Sequence, residues 1–365
     1  MKHRQLILSL ALLLEAACSK KQGPYAPQMD TIIDLDEIEK TVETESIPFK
    51  VIYHTEWYES DPRFKDQFIP WIRDINEGPD STLYVFDFSN SRMVQLTKNG
   101  EYIRSAGGPG SGPGEFMHAN PNWARSDEFI YICDFSGRRL QILNLHCDYL
   151  RSVTNVNIGT NRIAIGKNGS LLYPPPFRTI PPVPYMILMH DSLGNEIHKI
   201  GALKEDDAVV FTNKIRHSYC IVTNEKSKYV WCVFRMSPVI RKYDYNNNFI
   251  EQIRYTSNSI DKLITEGQDR FKKNTDPRLV RETSGMVIVE NPSLLENGDL
   301  LLPVSGHDNL IVTNDEGHSY IKKKIRVIVQ EANGKDNIKE SKICLTKLLG
   351  RYYGLYDARV ILKSE

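Results

Sequence analysis

The chain lacks net charge: 46 Lys and Arg balance 46 Asp and Glu over 365 residues. A neutral chain has no long-range field to draw nucleic acid or an anionic membrane surface. It also has no basic patch with interleaved aromatics, so nucleic acid is not an expected partner. No CxxC occurs, which leaves zinc ribbons and thioredoxin-like chemistry without support. The nine histidines form no HxH or HExxH, and no GxSxG marks a nucleophile. No metal ligand set is therefore assigned. Amphipathic helical patterning is scarce, with NSIDKLITEGQDRFKK (258–273) the one fair candidate.

Long apolar runs are also missing, apart from the first residues, MKHRQLILSLALLLEAACSK. Lys2 and Arg4 precede an apolar stretch from Leu6 to Leu14, too short for a bilayer core of ~30 Å. Ala16 and Ala17 then lead to Cys18. The segment resembles a bacterial lipoprotein signal, residues 1–18, in which Cys18 becomes acylated. Glu15 departs from that pattern, and an ordinary secretory signal cleaved near Ala17 is the alternative. Residues 19–46, with GPYAP and the acidic DLDEIEKTVETE, read as a polar tether. Ser19 fits outer-membrane sorting. Lys20 and Lys21 replace the acidic tag associated with surface display, so a periplasm-facing anchor is expected, with membrane contact through the lipid alone.

Export leaves five cysteines: Cys133, Cys147, Cys220, Cys232 and Cys344. An odd number in an oxidising compartment leaves at least one free thiol. Cys220 and Cys232 lie equally far from Lys226, the centre of a polar turn. In a hairpin of that register they would face each other at disulfide range. Two buried thiols are the alternative.

From residue 47 onward, runs rich in Val, Ile, Tyr and Phe alternate with Asn, Gly and Asp turns. STLYVFDFSNSRMVQLTKNGEYIRSAG aligns with DEFIYICDFSGRRLQILNLHCDYLRSV, so that Tyr84, Asp87 and Arg92 match Tyr131, Asp134 and Arg139 at 47 residues. Looser copies follow at YMILMHDSLGNEIHKIG, KYVWCVFRMSPVIRKYDYNNNFIEQIRY, NGDLLLPVSGHDNLIVTNDEGHSYIKKKIRV and RYYGLYDARVILK. An apolar run precedes each copy. Four short antiparallel strands at this period make one blade of a β-propeller, and six runs give six blades. The last copy stops after three strands. IPFKVIYH (47–54) is left over and can supply the missing outermost strand.

The expected fold is thus all-β, a six-bladed propeller over 47–365, closed by an N-terminal strand. LYVFDFSNSR, KNGEYIRSAG and GxGPGEF resemble the NHL-type repeat, and the whole resembles the six-bladed propeller lipoproteins of Bacteroides-type bacteria. GGPGSGPGEF (107–116) lacks the Gly-Lys-Ser/Thr ending of a phosphate loop. It reads as a connector between blades, with glycines for positive φ and prolines for stiffness.

In such a ring the loops between second and third strands, and those joining successive blades, open on one face. Here that face holds nearly every long loop, which makes it the expected functional face. Candidate binding residues on it are Arg92, Arg139, Phe177, Arg178, Tyr185, Arg235, His307 and Asp308. Asp87 with Arg92, and Asp134 with Arg139, read first as turn-bracing ion pairs, with ligand contact as the alternative. PPPFRTIPPVPY is either a stacking or peptide-binding ridge or a stiff insert. His307 and Asp308 sit at a loop tip, where proton transfer or metal ligation competes with a solvated turn. Glu115 and His118 lie where an inner strand begins and could point into the central channel, or form a simple strand-start pair.

The leading reading is a non-catalytic binding or scaffolding module, monomeric and without cofactor, recognising a glycan, a peptide or an envelope protein. The resemblance implies proximity to outer-membrane uptake systems. It also supplies the alternative: a lactonase- or lyase-like enzyme using a divalent metal in the channel.

Overall fold

The computed structural model describes residues 31–54, 72–117, 122–134, 136–154, 163–175, 185–202, 219–235, 237–273, 289, 292–295, 298–304, 307–315, 318–330, 344–348, 351–356 and 360–364. Chain order and pairing order coincide for most of its length. β1 (Thr31–Asp34), α1 (Leu35–Thr41) and β2 (Thr44–His54) come first. Blade one is β3 (Ile72–Glu77), β4 (Leu83–Asp87), β5 (Arg92–Leu96) and β6 (Tyr102–Gly107). Blade two is β7 (Asn122–Arg125), β8 (Phe129–Asp134), β9 (Arg139–Asn144) and β10 (Tyr149–Thr154). Blade three is β11 (Ala164–Ile165), β12 (Leu171–Tyr173), β13 (Tyr185–His190) and β14 (Glu196–Ala202). Blade four is β15 (Tyr219–Val222), β16 (Tyr229–Phe234), β17 (Val239–Asp244) and β18 (Phe249–Thr256), followed by helix α2 (Asn258–Lys273). Blade five is β19 (Ser293–Leu294), β20 (Leu300–Leu302), β21 (Asn309–Asp315) and β22 (His318–Gln330). Blade six has β23 (Cys344–Leu348), β24 (Arg351–Tyr356) and β25 (Val360–Ser364) of its own.

Blades five and six share one eight-stranded sheet because β2 joins them. Its first half runs parallel to β22, Thr44 opposite Lys324, and its second half antiparallel to β25, His54 opposite Val360. The expected N-terminal closing strand is therefore present. It begins earlier than expected, and what precedes it is ordered. Residues 31–46 were expected to belong to a polar tether, yet β1 lies parallel on β18 of blade four. α1 then carries the chain to β2. Asp34 caps α1, its Oδ1 accepting from the Asp36 and Glu37 amides at 2.9 and 3.3 Å. Leu35 is buried in the core between blades four and five. One segment thus straps the outer edges of blades four, five and six.

The middle strands are apolar on both faces because each blade is packed between two others. In β16, Trp231 and Val233 face blade five, while Val230, Cys232 and Phe234 face blade three. In β8, Tyr131 and Cys133 face blade three, while Ile130 and Ile132 face blade one. The outer strands β6 and β10 are largely half-buried or exposed, whereas β18 is mostly buried, because β1 covers it.

The hairpins from third to fourth strand share one turn. Its first residue is Thr97, Asn144, Asp191 or Asp244, and that side chain accepts from the amides two and four residues on. The fourth residue is left-handed: Gly100, Cys147, Gly194 and Asn247. The ladder then slips by one, leaving Ile103, Leu150, Ile197 and Ile250 as bulge residues. Gly194 meets both demands on glycine, with φ of 90° and space for Cβ closed by Val153 at 2.5 Å.

If the strap is part of the core, Leu35→Ala lowers stability by about 2–5 kcal/mol in urea unfolding. A change below about 0.5 kcal/mol, as for a solvated tether, overturns that placement.

Candidate functional site

The second-to-third-strand loops of blades one and two are built alike. Asp87 is fully buried and accepts from the Ser89 and Asn90 amides at 3.1 and 3.2 Å, from Asn90 Nδ2 at 2.7 Å and from Arg92 Nε at 3.0 Å. Asp134 accepts from Gly137 N at 3.1 Å, Met117 N at 3.3 Å and Arg139 Nε at 3.0 Å. The Arg139 guanidinium goes further, donating to the Ser111 and Glu115 carbonyls at 2.8 and 2.7 Å.

Those carbonyls belong to GGPGSGPGEF, so Arg139 fastens the blade-to-blade connector. The connector is held from other sides too. Gly114 N donates to Gln141 Oε1 at 2.9 Å, Gln141 Nε2 donates back to the Glu115 carbonyl, and Phe116 is buried edge-on against Phe86. Gly107, at φ of 108°, must be glycine because a Cβ would stand 2.6 Å from the Phe116 ring. The Glu115 carboxylate accepts from Gly112 N at 2.8 Å, which ties it into the connector's own turn.

His307 and Asp308 differ most from the expected exposed loop tip. The His307 side chain is 6% exposed. Its Nε2 lies 3.0 Å from Ser257 Oγ and 2.8 Å from Ser259 Oγ at the start of α2, and Nδ1 lies 3.4 Å from Glu39 Oε1 on α1. Glu39 also accepts from buried Lys324 Nζ at 3.1 Å. Asp308 takes Arg326 in a two-point contact at 3.2 and 3.1 Å and accepts from Thr44 Oγ1 at 3.3 Å. Both residues serve the strap. The His307 side chain is thus engaged by α1 and the start of α2.

The other candidates are scattered. Tyr185 opens β13, half-buried, with Lys199 Nζ 5.1 Å from its ring centre. Arg235 follows β16, and its carbonyl accepts from Val289 N at 3.1 Å. Cys18, His118, Phe177 and Arg178 lie outside the described residues. Among the described residues no three His, Cys, Asp or Glu converge as a metal site, and no helix is long and apolar enough to cross a membrane.

The expected Cys220–Cys232 pair does not form. Cys220 lies opposite Val233, and Cys232 opposite Ile221. The hairpin is one residue out of the symmetric register, which sends the two side chains to opposite faces of the blade. Cys220 packs toward blade five and Cys232 toward blade three. Both are free thiols, as are Cys133 and Cys147.

Sequence reasoning passed over Lys242. It is fully buried in β17, its Nζ 4.3 Å from the Tyr229 ring centre and 4.8 Å from that of Trp231. Burial pulls its pKa down to about 8, against the opposing pull of Glu251. Glu251 in turn accepts from Ser319 Oγ at 2.7 Å and Thr31 Oγ1 at 3.1 Å, linking blade five and β1. The charged pair Arg241 and Lys242 in the middle of the third strand VIRKYD is the signal that could have exposed this network.

Two outcomes follow. Asp134→Ala strands the Arg139 charge beside the connector and costs about 3 kcal/mol, read by urea unfolding; an unchanged midpoint removes Arg139 as the fastener. Burial also pushes the Cys147 and Cys232 thiols up to about 12, and Cys133 well above its ordinary value. Folded values above unfolded ones mean the thiols' contribution is complete below pH ~8.5 and is lost as pH rises toward ~12, at up to about 1.4 kcal/mol per unit for each. Cys232→Ala flattens the fall in stability between pH ~8.5 and ~10.5 relative to the parent; parallel curves rule out a buried thiol there.

Solved structures of similar shape include a putative exported protein from Bacteroides fragilis, 13% identical, covering 81% of this chain and 89% of its own at a TM-score of 0.49. Virginiamycin B lyase from Staphylococcus aureus is 11% identical, covering 80% of each chain at a TM-score of 0.48. BamB from Moraxella catarrhalis is 9% identical, covering 80% of this chain and 68% of its own at 0.35. Among curated proteins none matches. The family model described as a 6-bladed beta-propeller matches residues 68–276, more than half of the chain. Among the described residues the strands pair into five sheets, one of them eight-stranded, and this chain belongs to that family of six-bladed β-propellers.

Proposed function

We propose that this propeller is a non-catalytic binding or scaffolding module of the cell envelope, anchored through a lipid on Cys18 and facing the periplasm. Its long-loop face recognises a glycan, a peptide or a partner protein. The observation that carries this reading is the use made of charge on that face. Arg92, Arg139, Glu115, His307 and Asp308 hold loops and strap in fixed shapes. Rigid loops on a rigid ring are what a recognition surface requires, since ordering on binding then costs little.

The strap adds a direction. β1 runs parallel to β18, from the short-turn side of blade four toward the long-loop side. The thirteen steps from Cys18 to Thr31 span at most ~47 Å. An anchor entering from the short-turn side leaves the long-loop face turned away from the membrane.

The test is thermal unfolding of the full chain with EDTA, then with Ca²⁺, Mg²⁺, Mn²⁺ or Zn²⁺, then with panels of envelope glycans and peptides. A ligand at ~100 times its Kd adds about 2.7 kcal/mol. The expected result is indifference to EDTA and to each metal, and a rise with at least one glycan or peptide. A melting point that falls with EDTA and returns with one metal overturns the non-catalytic reading and directs work to lactone substrates. For the anchor, Cys18→Ser is expected to move the chain from the membrane to the soluble fraction.

A further inference from the structure

On the short-turn face, blades three and four leave a cleft of about 430 Å³ between them. Lys167 and Asn168 stand on the turn from β11 to β12, and Tyr245 and Asn246 on the turn from β17 to β18. The Tyr245 hydroxyl locks the two turns together, accepting from Lys167 N at 3.1 Å and bonding Thr223 Oγ1 at 2.7 Å. The opposite wall is Met189 with Ile197 and His198. Ile197 is the bulge residue of β14 and is 52% exposed. The bulge that repeats in blades one to four thus turns an aliphatic side chain outward beside a cleft.

The charges here behave unlike those of the long-loop face. Lys167 and His198 are exposed, and among the described residues neither side chain has an ion-pair or hydrogen-bond partner. Glu196, the nearest acid on β14, is taken by Lys199 at 3.2 Å. Among the described residues β14 is also the last strand of its sheet, and an edge strand can pair with an extended chain.

We propose that this cleft binds an extended acidic peptide segment carrying an aliphatic side chain, with carboxylates at Lys167 and His198 and the aliphatic group against Ile197 and Met189. The fold already seats such a segment elsewhere. TIIDLDEIEKTVETE is acidic and aliphatic, and it lies on the outer edges of blades four and five with Glu45 on Lys323 and Glu39 on Lys324. A sugar ligand fits less well. Its ring would need a free aromatic face, and the one aromatic here is held by its hydroxyl between two turns.

The experiment is fluorescence anisotropy on the full chain at low salt, with a labelled peptide of alternating glutamate and isoleucine. Its lysine–isoleucine counterpart and an oligouronate are run alongside. The acidic peptide is expected to bind. The double variant Lys167→Glu, His198→Glu should weaken it at least about tenfold and gain affinity for the lysine peptide. Ile197→Ser should weaken the acidic peptide without reversing the charge preference. All three positions are exposed, and an unchanged melting temperature shows that each variant folds. No binding of the acidic peptide, or equal binding by parent and double variant, overturns the proposal. So does an oligouronate that binds as tightly and is lost in the same variants. The metal and glycan arms above probe the other face and leave this outcome independent.

Discussion

Blades one to five are apolar on both faces and can bury them only between neighbouring blades. That constraint orders the rest of the structure. Tyr84 and Phe86 of blade one need Trp123 and Ile132 of blade two, whose other face needs Ile165 and Leu171 of blade three. A four-stranded sheet of this composition standing alone would expose one or both faces and gain too little burial to offset chain entropy. The same logic makes an open array unstable at its ends and a closed ring self-satisfying. Closure by β2 is therefore a condition of the other contacts, because it completes blade six and returns the chain to blade one.

The strap extends that closure. After β1 covers the edge of blade four, α1 crosses to blade five and meets Lys324 and His307 through Glu39. Lys324 is nearly inaccessible, and a buried ammonium is tolerable only with its partner in place. Removing the strap would uncover Leu35's site and leave that charge stranded. Glu39 and Glu45, read as part of a polar tether, are thus counter-charges for Lys324 and Lys323 of β22.

Much of the ring was legible because its signals are local and repeated. The two copies 47 residues apart, the turn residues and the unfilled fourth strand of the last blade each report a short-range requirement of the backbone. α2, expected over NSIDKLITEGQDRFKK, runs from Asn258 to Lys273. The strap was missed although it carries a start signal, Asp34 with Glu37 three residues on; composition outweighed it, since an acidic stretch reads as solvated until the basic strand opposite is known. The Cys220–Cys232 pairing failed on a shift of one residue, which a symmetric reading of the turn cannot detect. His307 was recognised as a residue of interest, but its partners lie on segments 48 to 268 residues away, a distance no local motif reports.

The two faces now divide by how their charges are spent. On the long-loop side, Asp87 and Asp134 pair with the arginines that end their own loops, Arg92 and Arg139, and Asp308 pairs with Arg326 of β22. A ligand that took Arg139 for itself would have to replace a buried carboxylate and two connector carbonyls, and would leave Asp134 without its counter-charge. Under the proposed reading, a ligand of that face has to use groups that the braces position, not the braces themselves. On the short-turn side, Lys167 and His198 have no partner among the described residues to surrender to a carboxylate, and the exposed Ile197 has apolar area still to bury. Affinity gained at such a site is not first spent on breaking internal contacts, which is why unpaired surface charge beside exposed aliphatic area carries more information about ligands than the larger number of charges already paired.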